Sequence, residues 1–238
     1  MKKLIQLIAL STLFFTVTSN AQTTVKGNGK VVTEKRNTAG YDQIEVSGFF
    51  DVVLVSGNEG TITIEGEENV IPHIKVEVAG DILKIYSEKN ININSRKGVL
   101  LHVPVEQISA VSLSGSGDVK SEKTITATNF RAKLTGSGDL TLAVKANNFE
   151  SSLSGSGDVV LTGSSDNFVS KTSGSGDVDA ADLITKNANL TISGSGDMKV
   201  NCTTSLYARI SGSGDITYKG NPELKDTKVS GSGEISKM

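Results

Sequence analysis

Seven acidic residues recur through the second half of this sequence: Asp118, Asp139, Asp158, Asp177, Asp197, Asp215 and Glu234. The steps between them are 21, 19, 19, 20, 18 and 19 residues. A row of carboxylates can do two kinds of chemistry. It can gather a hard cation, since calcium takes several oxygen ligands, and the six Asp are the calcium candidates. Alternatively, two carboxyls can work as acid and base on a glycosidic bond. That use needs two groups whose surroundings push their pKa values apart, and identical residues in identical contexts do not supply them. The calcium use meets a different objection. Calcium-binding β-rolls repeat G-G-x-G-x-D about every nine residues, and neither that form nor that period occurs here. A structural role for the acids competes with both, because Asp readily accepts from turn N–H groups.

Other reactive residue types are sparse. His73 and His102 lie outside the acidic row, and His73 alternates with Lys75 and Glu77 as on an exposed strand face. No G-x-S-x-G, H-E-x-x-H, C-x-x-C or P-loop pattern occurs. No cofactor is implied, and the chain is not expected to be an enzyme.

The elements that hold the acids in place are legible around them. Each acid ends a G-S-G-D or G-S-G-E motif whose first Gly is Gly115, Gly136, Gly155, Gly174, Gly194, Gly212 or Gly231. Ser or Thr always precedes the motif and an apolar residue always follows it, from Val119 and Leu140 to Ile235. Counting back from Gly136, positions two, four and six are Leu134, Ala132 and Phe130, with Lys133 and Arg131 between them. The next unit reads Leu153, Ser151 and Phe149. Period-two alternation marks a strand with one buried face. Each unit is therefore strand, sharp turn, strand and a looser polar turn such as Lys145 to Asn148 or Gly163 to Asn167. The recurrence of like residues at like places predicts a parallel β-solenoid, in which equivalent strands stack at about 4.8 Å per coil. A hairpin meander or barrel is the competing architecture. Gly supplies the sharp corner, since it reaches φ > 0 without a Cβ penalty.

Composition fits a thin stacked core. The 238 residues include 25 Gly but only three Pro and no Trp, and aromatics make up 5%. The formal net charge is −2, and it becomes two units more negative if Lys2 and Lys3 are removed with a leader. Nothing in this balance calls for a nucleic-acid partner. Lys2 and Lys3, the apolar run Leu4 to Val17 and the small residues Ser19-Asn20-Ala21 read as a signal peptide over 1–21, cleaved before Gln22. No other stretch is apolar enough to span a membrane. The single cysteine, Cys202, forms no internal disulfide and reads as a small core residue. Lys133, Lys171, Arg209 and Lys228 share the position three before the turn, with Ser112, Ser152 and Thr191 between them. This outward row is either a glycan-binding face or a solvated strand face.

Residues 22–107 are β-rich but irregular. Strands are expected at 41–46, 52–55, 61–65, 73–78, 82–86 and 99–103. They are read as broader coils that continue or cap the regular array of 108–238, in one continuous domain. Three segments carry a family resemblance: Phe49-Phe50-Asp51-Val52-Val53-Leu54-Val55-Ser56-Gly57, Gly80-Asp81-Ile82-Leu83-Lys84-Ile85, and the Leu-Ser-Gly-Ser-Gly-Asp-Val units from Leu113 onward. Through them the chain, from about Tyr41 to its end, resembles the exported bacterial proteins described as putative autotransporter adhesin, head GIN domain. The resemblance implies a β-helix-like fold and an exported or surface location, and it brings no catalytic residues.

The expected protein is all-β: a parallel β-helix or β-solenoid of about seven regular coils of 18–21 residues, preceded by irregular coils or a cap. The expected function is a non-catalytic, exported adhesin-like or envelope scaffold, located in the periplasm, on the outer cell surface or secreted. Its partner would be an unidentified protein or glycan, and a homo-oligomer is compatible with its flat exposed ladders. The alternative is a carbohydrate-active β-helix enzyme of the polysaccharide lyase or hydrolase type.

Overall fold

The computed structural model describes residues 23–238, so the leader read at 1–21, with Gln22, lies outside the described residues. Nearly all of the described backbone is strand, apart from loops and one 3-10 turn at Ile71–His73. No helix among the described residues is long and apolar enough to cross a membrane.

The first part of the chain forms β1 (Thr23–Lys26), β2 (Val31–Asn37), β3 (Gln43–Gly48), β4 (Asp51–Ser56), β5 (Thr61–Glu67), β6 (Ile74–Ala79), β7 (Ile82–Ser87), β8 (Ile91–Asn94) and β9 (Val99–Val105). The six expected strands correspond to β3 through β7 and β9. The two short strands β1 and β8, which form a small parallel sheet of their own, and the edge strand β2 were not expected. The repeats follow as β10 (Ala110–Gly115), β11 (Val119–Ser121), β12 (Ile125–Gly136), β13 (Leu140–Gly155), β14 (Val159–Gly174), β15 (Val178–Gly194) and β16 (Met198–Gly212). The last coil is β17 (Ile216–Lys219), β18 (Leu224–Gly231) and β19 (Ile235–Lys237).

From β10 onward every pairing is parallel and joins motif to motif. The fold is therefore a solenoid. Its interior is a set of side-chain columns, one being Leu113, Leu134, Leu153, Thr172, Ile192 and Ile210. Another holds Phe130, Phe149 and Phe168, whose ring centroids are 5.5 and 5.4 Å apart. Each large apolar residue buried in this way contributes about 1.5–3 kcal/mol, so many shallow layers replace one wide core.

The turn explains the Gly-Ser-Gly sequence. Gly155 has φ +135°, and a Cβ there would overlap the carbonyl oxygen of Gly136 in the coil below. A Cβ on Gly157 would overlap the carbonyl oxygen of Gly138. The backbones stack too closely at this corner for any side chain to intervene.

Two features differ from the sequence expectation. The segments Lys145 to Asn148 and Gly163 to Asn167 are not breaks between strands. They are corners inside continuous strands, marked by a slip in the burial alternation where Asn147 and Asn148 are both exposed. Coil-to-coil pairing persists through the corner, and two later coils add a buried hydroxyl on a corner carbonyl: Ser165 Oγ donates to Asn167 O (2.8 Å) and Thr185 Oγ1 to Asn187 O (2.9 Å). The second difference is the order of the coils. The β3–β4 coil lies between the β7–β9 coil on one side and β10–β11 on the other. The chain enters the column at its second layer, turns back to lay the first, and then crosses over to lay the third. Antiparallel strands close the outer edge of that first layer, β6 against β7 and β5 against β9, with β2 beyond β5.

Candidate ligand-binding face

The acidic row is straight, and its chemistry is internal. The backbone N–H of each acid donates to Oδ1 of the acid one coil earlier. Asp139 donates to Asp118 (3.1 Å), Asp158 to Asp139 (2.9 Å), Asp177 to Asp158 (2.9 Å), Asp197 to Asp177 (2.7 Å), Asp215 to Asp197 (2.8 Å) and Glu234 to Asp215 (2.7 Å). The bond expected within a turn is thus made between turns. Neighbouring charges about 5 Å apart repel by roughly 1 kcal/mol in water, whereas a hydrogen bond to a charged acceptor is worth about 1.5–3 kcal/mol. The bond wins, which accounts for a ladder of like charges. Among the described residues no three His, Cys, Asp or Glu side chains are grouped so as to hold a metal ion.

The ladder starts earlier than the motif. Asp118 N donates to Asp51 Oδ1 (3.2 Å), and Ser47-Gly48-Phe49-Phe50-Asp51-Val52 pairs in register with Ser114-Gly115-Ser116-Gly117-Asp118-Val119. Phe50 can stand where the second Gly belongs because the layer beneath it has no such turn, its chain leaving instead through β8. The ring is fully buried and plugs the column. The sequence signal was a Ser-Gly-x-x-Asp-Val spacing with its inner pair replaced.

A second ladder was missed altogether. Seven residues before the five middle turns stand Asn129, Asn148, Asn167 and Asn187, then Ser205. Asn148 Nδ2 donates to Asn129 Oδ1 (2.8 Å), Asn167 to Asn148 (2.9 Å), Asn187 to Asn167 (2.9 Å), and Ser205 Oγ to Asn187 Oδ1 (2.7 Å). The constant offset was the available signal. Just inside that corner, Ala146, Ser165, Thr185 and Cys202 occupy one column. Cys202 Sγ lies 2.9 Å from Ser205 O and is fully buried, and burial pushes its thiol pKa up. It is a core residue, as read.

Between the two ladders lies an outward strand face. A shallow groove of about 400 Å³ opens there, lined by Gln43, Ser109, Asn129, Arg131, Asn148 and Glu150 among others. Arg131 Nε and Glu150 Oε2 are 3.6 Å apart across it. A neighbouring depression of about 270 Å³ shares Gln43 and Arg131 and reaches Glu45, Ser112 and Lys133. The row of Lys133, Lys171, Arg209 and Lys228 lies on this face, in register from coil to coil.

The histidines do not meet. His73 Nδ1 is 2.9 Å from Glu88 Oε2, which Lys75 Nζ approaches to 3.7 Å. The His73 hydrogen bond, with the charge of Lys75, holds Glu88 below the usual carboxylate range. His102 stands on another strand, opposite Val53 and Thr63. One carboxylate is genuinely buried: Glu67 accepts from Gly29 N (2.6 Å), Ser95 Oγ (2.8 Å) and Arg96 N (2.8 Å). Burial alone would raise its pKa, but these donors together with Lys97 N–H outweigh that and hold it low. Glu67 thereby ties the β1–β8 region to the cap.

Repeated coils, stacked rungs and an outward polar face define a parallel β-solenoid. Residues 40–222 match the family described as putative auto-transporter adhesin, head GIN domain, and the chain belongs to that family. Among solved structures, a putative adhesin from Bacteroides fragilis superposes with a TM-score of 0.85 at 22% identity, covering 90% of this chain and 100% of that one. A putative lipid binding protein from Parabacteroides distasonis gives a TM-score of 0.75 at 25% identity, covering 90% and 99%. A putative adhesin from Parabacteroides merdae gives 0.67 at 21%, covering 91% and 99%. No curated protein matches the chain.

Proposed function

We propose that this chain is a non-catalytic, exported adhesin-like module that presents its grooved strand face to a protein or glycan partner at the cell envelope. The observation that carries this reading is the fate of the carboxylates. Each Asp rung from Asp118 to Asp215 has one oxygen committed to the next coil's backbone, in equivalent surroundings; only the terminal Glu234 does not. That leaves no pair differentiated into acid and base, as glycosidic chemistry requires. Family membership points the same way, and the apolar run behind Lys2 and Lys3 supports export. The low net charge argues against a nucleic-acid partner.

A lipid reading, prompted by the Parabacteroides distasonis relative, has less support. The interior columns are filled by packed side chains, and the exposed apolar residues are spread over several strands, with only Leu224 and Val229 sharing one. Self-association through the far edge of β18 is disfavoured by Lys225, which occupies the core column of Leu206.

The test is cell fractionation of the native organism combined with retention of the purified chain on a glycan array and on envelope proteins. Recovery in the envelope with saturable retention is the expected result. Recovery in the cytoplasm, or release of product from acidic glycans above a no-protein blank, overturns the proposal.

A further inference from the structure

The face that carries the groove has a second, longer period. Three residues before successive turns stand Ser112, Lys133, Ser152, Lys171, Thr191 and Arg209, each directly opposite the next. Hydroxyl and cation alternate coil by coil from Ser112 to Arg209; the alternation is bounded by Glu45 opposite Ser112 and by Lys228 opposite Arg209. With about 4.8 Å per coil, a cation recurs about every 9.6 Å along a straight line. Nothing in the fold asks for this doubling. The motif, the acidic ladder and the asparagine ladder all repeat every coil, so the two-coil period belongs to the surface alone. It does not follow from a basic composition either, since the chain is net acidic.

Lys133 and Lys171 are exposed and enter no ion pair among the described residues. Arg209 is partly spent, held by Asp226 at 2.8 Å and lying 3.8 Å over the Tyr207 ring. The strand face beyond the turn lacks the pattern. Its corresponding row runs Lys120, Thr141, Val160, Asp179 and Lys199, with Lys199 and Asp179 3.8 Å apart.

We propose that this face binds a linear acidic polysaccharide laid along the solenoid axis, one carboxylate per disaccharide, with successive carboxylates at Lys133 and Lys171. The cation spacing is about the length of an extended disaccharide, and the intervening Ser152 and Thr191 hydroxyls suit the neutral sugar between charges. A polymer charged on every residue would set alternate carboxylates against hydroxyls. A nucleic-acid strand, with a phosphate about every 3.4 Å, would be further out of step. The interaction is solvent-exposed and therefore weak per step and salt-sensitive, and the two linked contacts at Lys133 and Lys171 reinforce one another. The inference rests on the adhesin reading and narrows its glycan branch.

The test is calorimetric titration of the full chain with hyaluronan oligosaccharides, which carry one carboxylate per disaccharide, and with their carboxyl-reduced counterparts, at low and high salt. The acidic form should bind and weaken with salt. Lys133→Gln with Lys171→Gln should weaken it about tenfold (1.4 kcal/mol), while Lys120→Gln with Lys199→Gln on the other face should leave it unchanged. Equal binding of the reduced polymer, equal loss from both double variants, or equally tight binding of single-stranded DNA overturns the proposal. Absence of hyaluronan binding also overturns it, and if the chain is still retained on envelope material the adhesin reading survives that failure.

Discussion

At the N-terminal end of the column, β7 and β9 have parallel partners on one side and antiparallel partners, β6 and β5, on the other. At the other end, β18 pairs with β16 and β19 with β17, and all eight residues of β18 are exposed. The first end is closed by topology. The chain reverses direction and spends three strands on covering an edge. The second end is blunted by composition. Lys225 stands in the column of Leu206, so the exposed layer offers a charge where the interior has an apolar side chain, although Val229 over Ile210 stays apolar. A solenoid must manage both ends, because an open parallel edge is a template for further pairing. Between them the repeats need only satisfy their neighbours. The cap depends on individual residues such as Phe50 and Glu67, whereas the array depends on what every rung shares.

Glycine substitution should separate the two regimes most sharply. Gly157→Ala places a methyl group on the Gly138 carbonyl, backbone against backbone with no side chain to give way. Gly157 does not have a left-handed φ, so the cost is steric alone. The expected destabilisation is about 4 kcal/mol or more, read as a lost or strongly lowered midpoint in urea. In the cap, Gly80 has φ +68° but open space around its Cβ position. Gly80→Ala should cost only about 1–2 kcal/mol from the backbone conformation. Equal costs at the two sites would mean that the coils do not stack as closely as described.

Acid should act on the cap before the array. Glu67 is held low in the folded state by its donors, so it binds fewer protons there than when unfolded. The stability it contributes is fully present above the unfolded carboxyl pKa of about 4.3. It is lost as pH falls through the lower, folded value. Hydrogen exchange between pH 6 and pH 3 should therefore show β1, β8 and the segment after Ser95 losing protection while β13 to β16 keep theirs. Glu67→Gln should remove most of that pH dependence at the cost of a lower melting temperature at neutral pH. Uniform loss of protection along the whole column would refute the separation.

How much of this was readable beforehand differs along the same line. The array was legible because a solenoid forces like onto like. Leu134 over Leu113 and Gly155 over Gly136 write the coil into the sequence as a period. The asparagine ladder was equally periodic, but Asn148 and Asn167 sit where a polar loop was expected, and Asn serves either role. Cap residues have no repeat to betray them. Nothing near Glu67 announces that Gly29 and Arg96, far apart in sequence, will converge on its carboxylate. The insertion of β3–β4 between two later layers is likewise invisible, because alternation gives which face is buried and not which coil comes next. Of the candidate site, the cation row was visible as residues, and its spacing acquired a length only once the coils were known to stack.

The acidic ladder offers a finer test within the array. Asp158→Ala removes the acceptor for Asp177 N–H but also relieves repulsion from Asp139 and Asp177, so the net cost should be about 1 kcal/mol. Asp158→Asn keeps an oxygen acceptor and removes the charge. It should be neutral or slightly stabilising by urea denaturation, most clearly at low salt, where repulsion is least screened. Because adjacent rungs share one repulsion, Asn at two adjacent rungs should gain less than twice the single effect, by a similar amount wherever the pair stands along β13 to β16. A large loss from Asp158→Asn would show that the charge itself is required there, and would reopen the cation question for this row.

The smallest effect is expected at Cys202, where the array tolerates chemical variety within one corner. Ser165, Thr185 and Cys202 stand in one column, and each points its heteroatom at the carbonyl two or three residues on. In these three coils the corner holds a small donor of the right reach, whereas Ala146 in the coil before does without one. Cys202→Ser should therefore change stability by no more than about 1 kcal/mol, despite burying a hydroxyl in place of a thiol. Cys202→Ala, which removes the donor and leaves a void, should cost clearly more. Burial also keeps the thiol protonated, so the native protein should react slowly with a thiol probe at pH 8 and rapidly once unfolded in urea. If the serine variant proves as costly as the alanine one, the corner is a matter of packing around sulfur, and the column shared with Ser165 and Thr185 is coincidental.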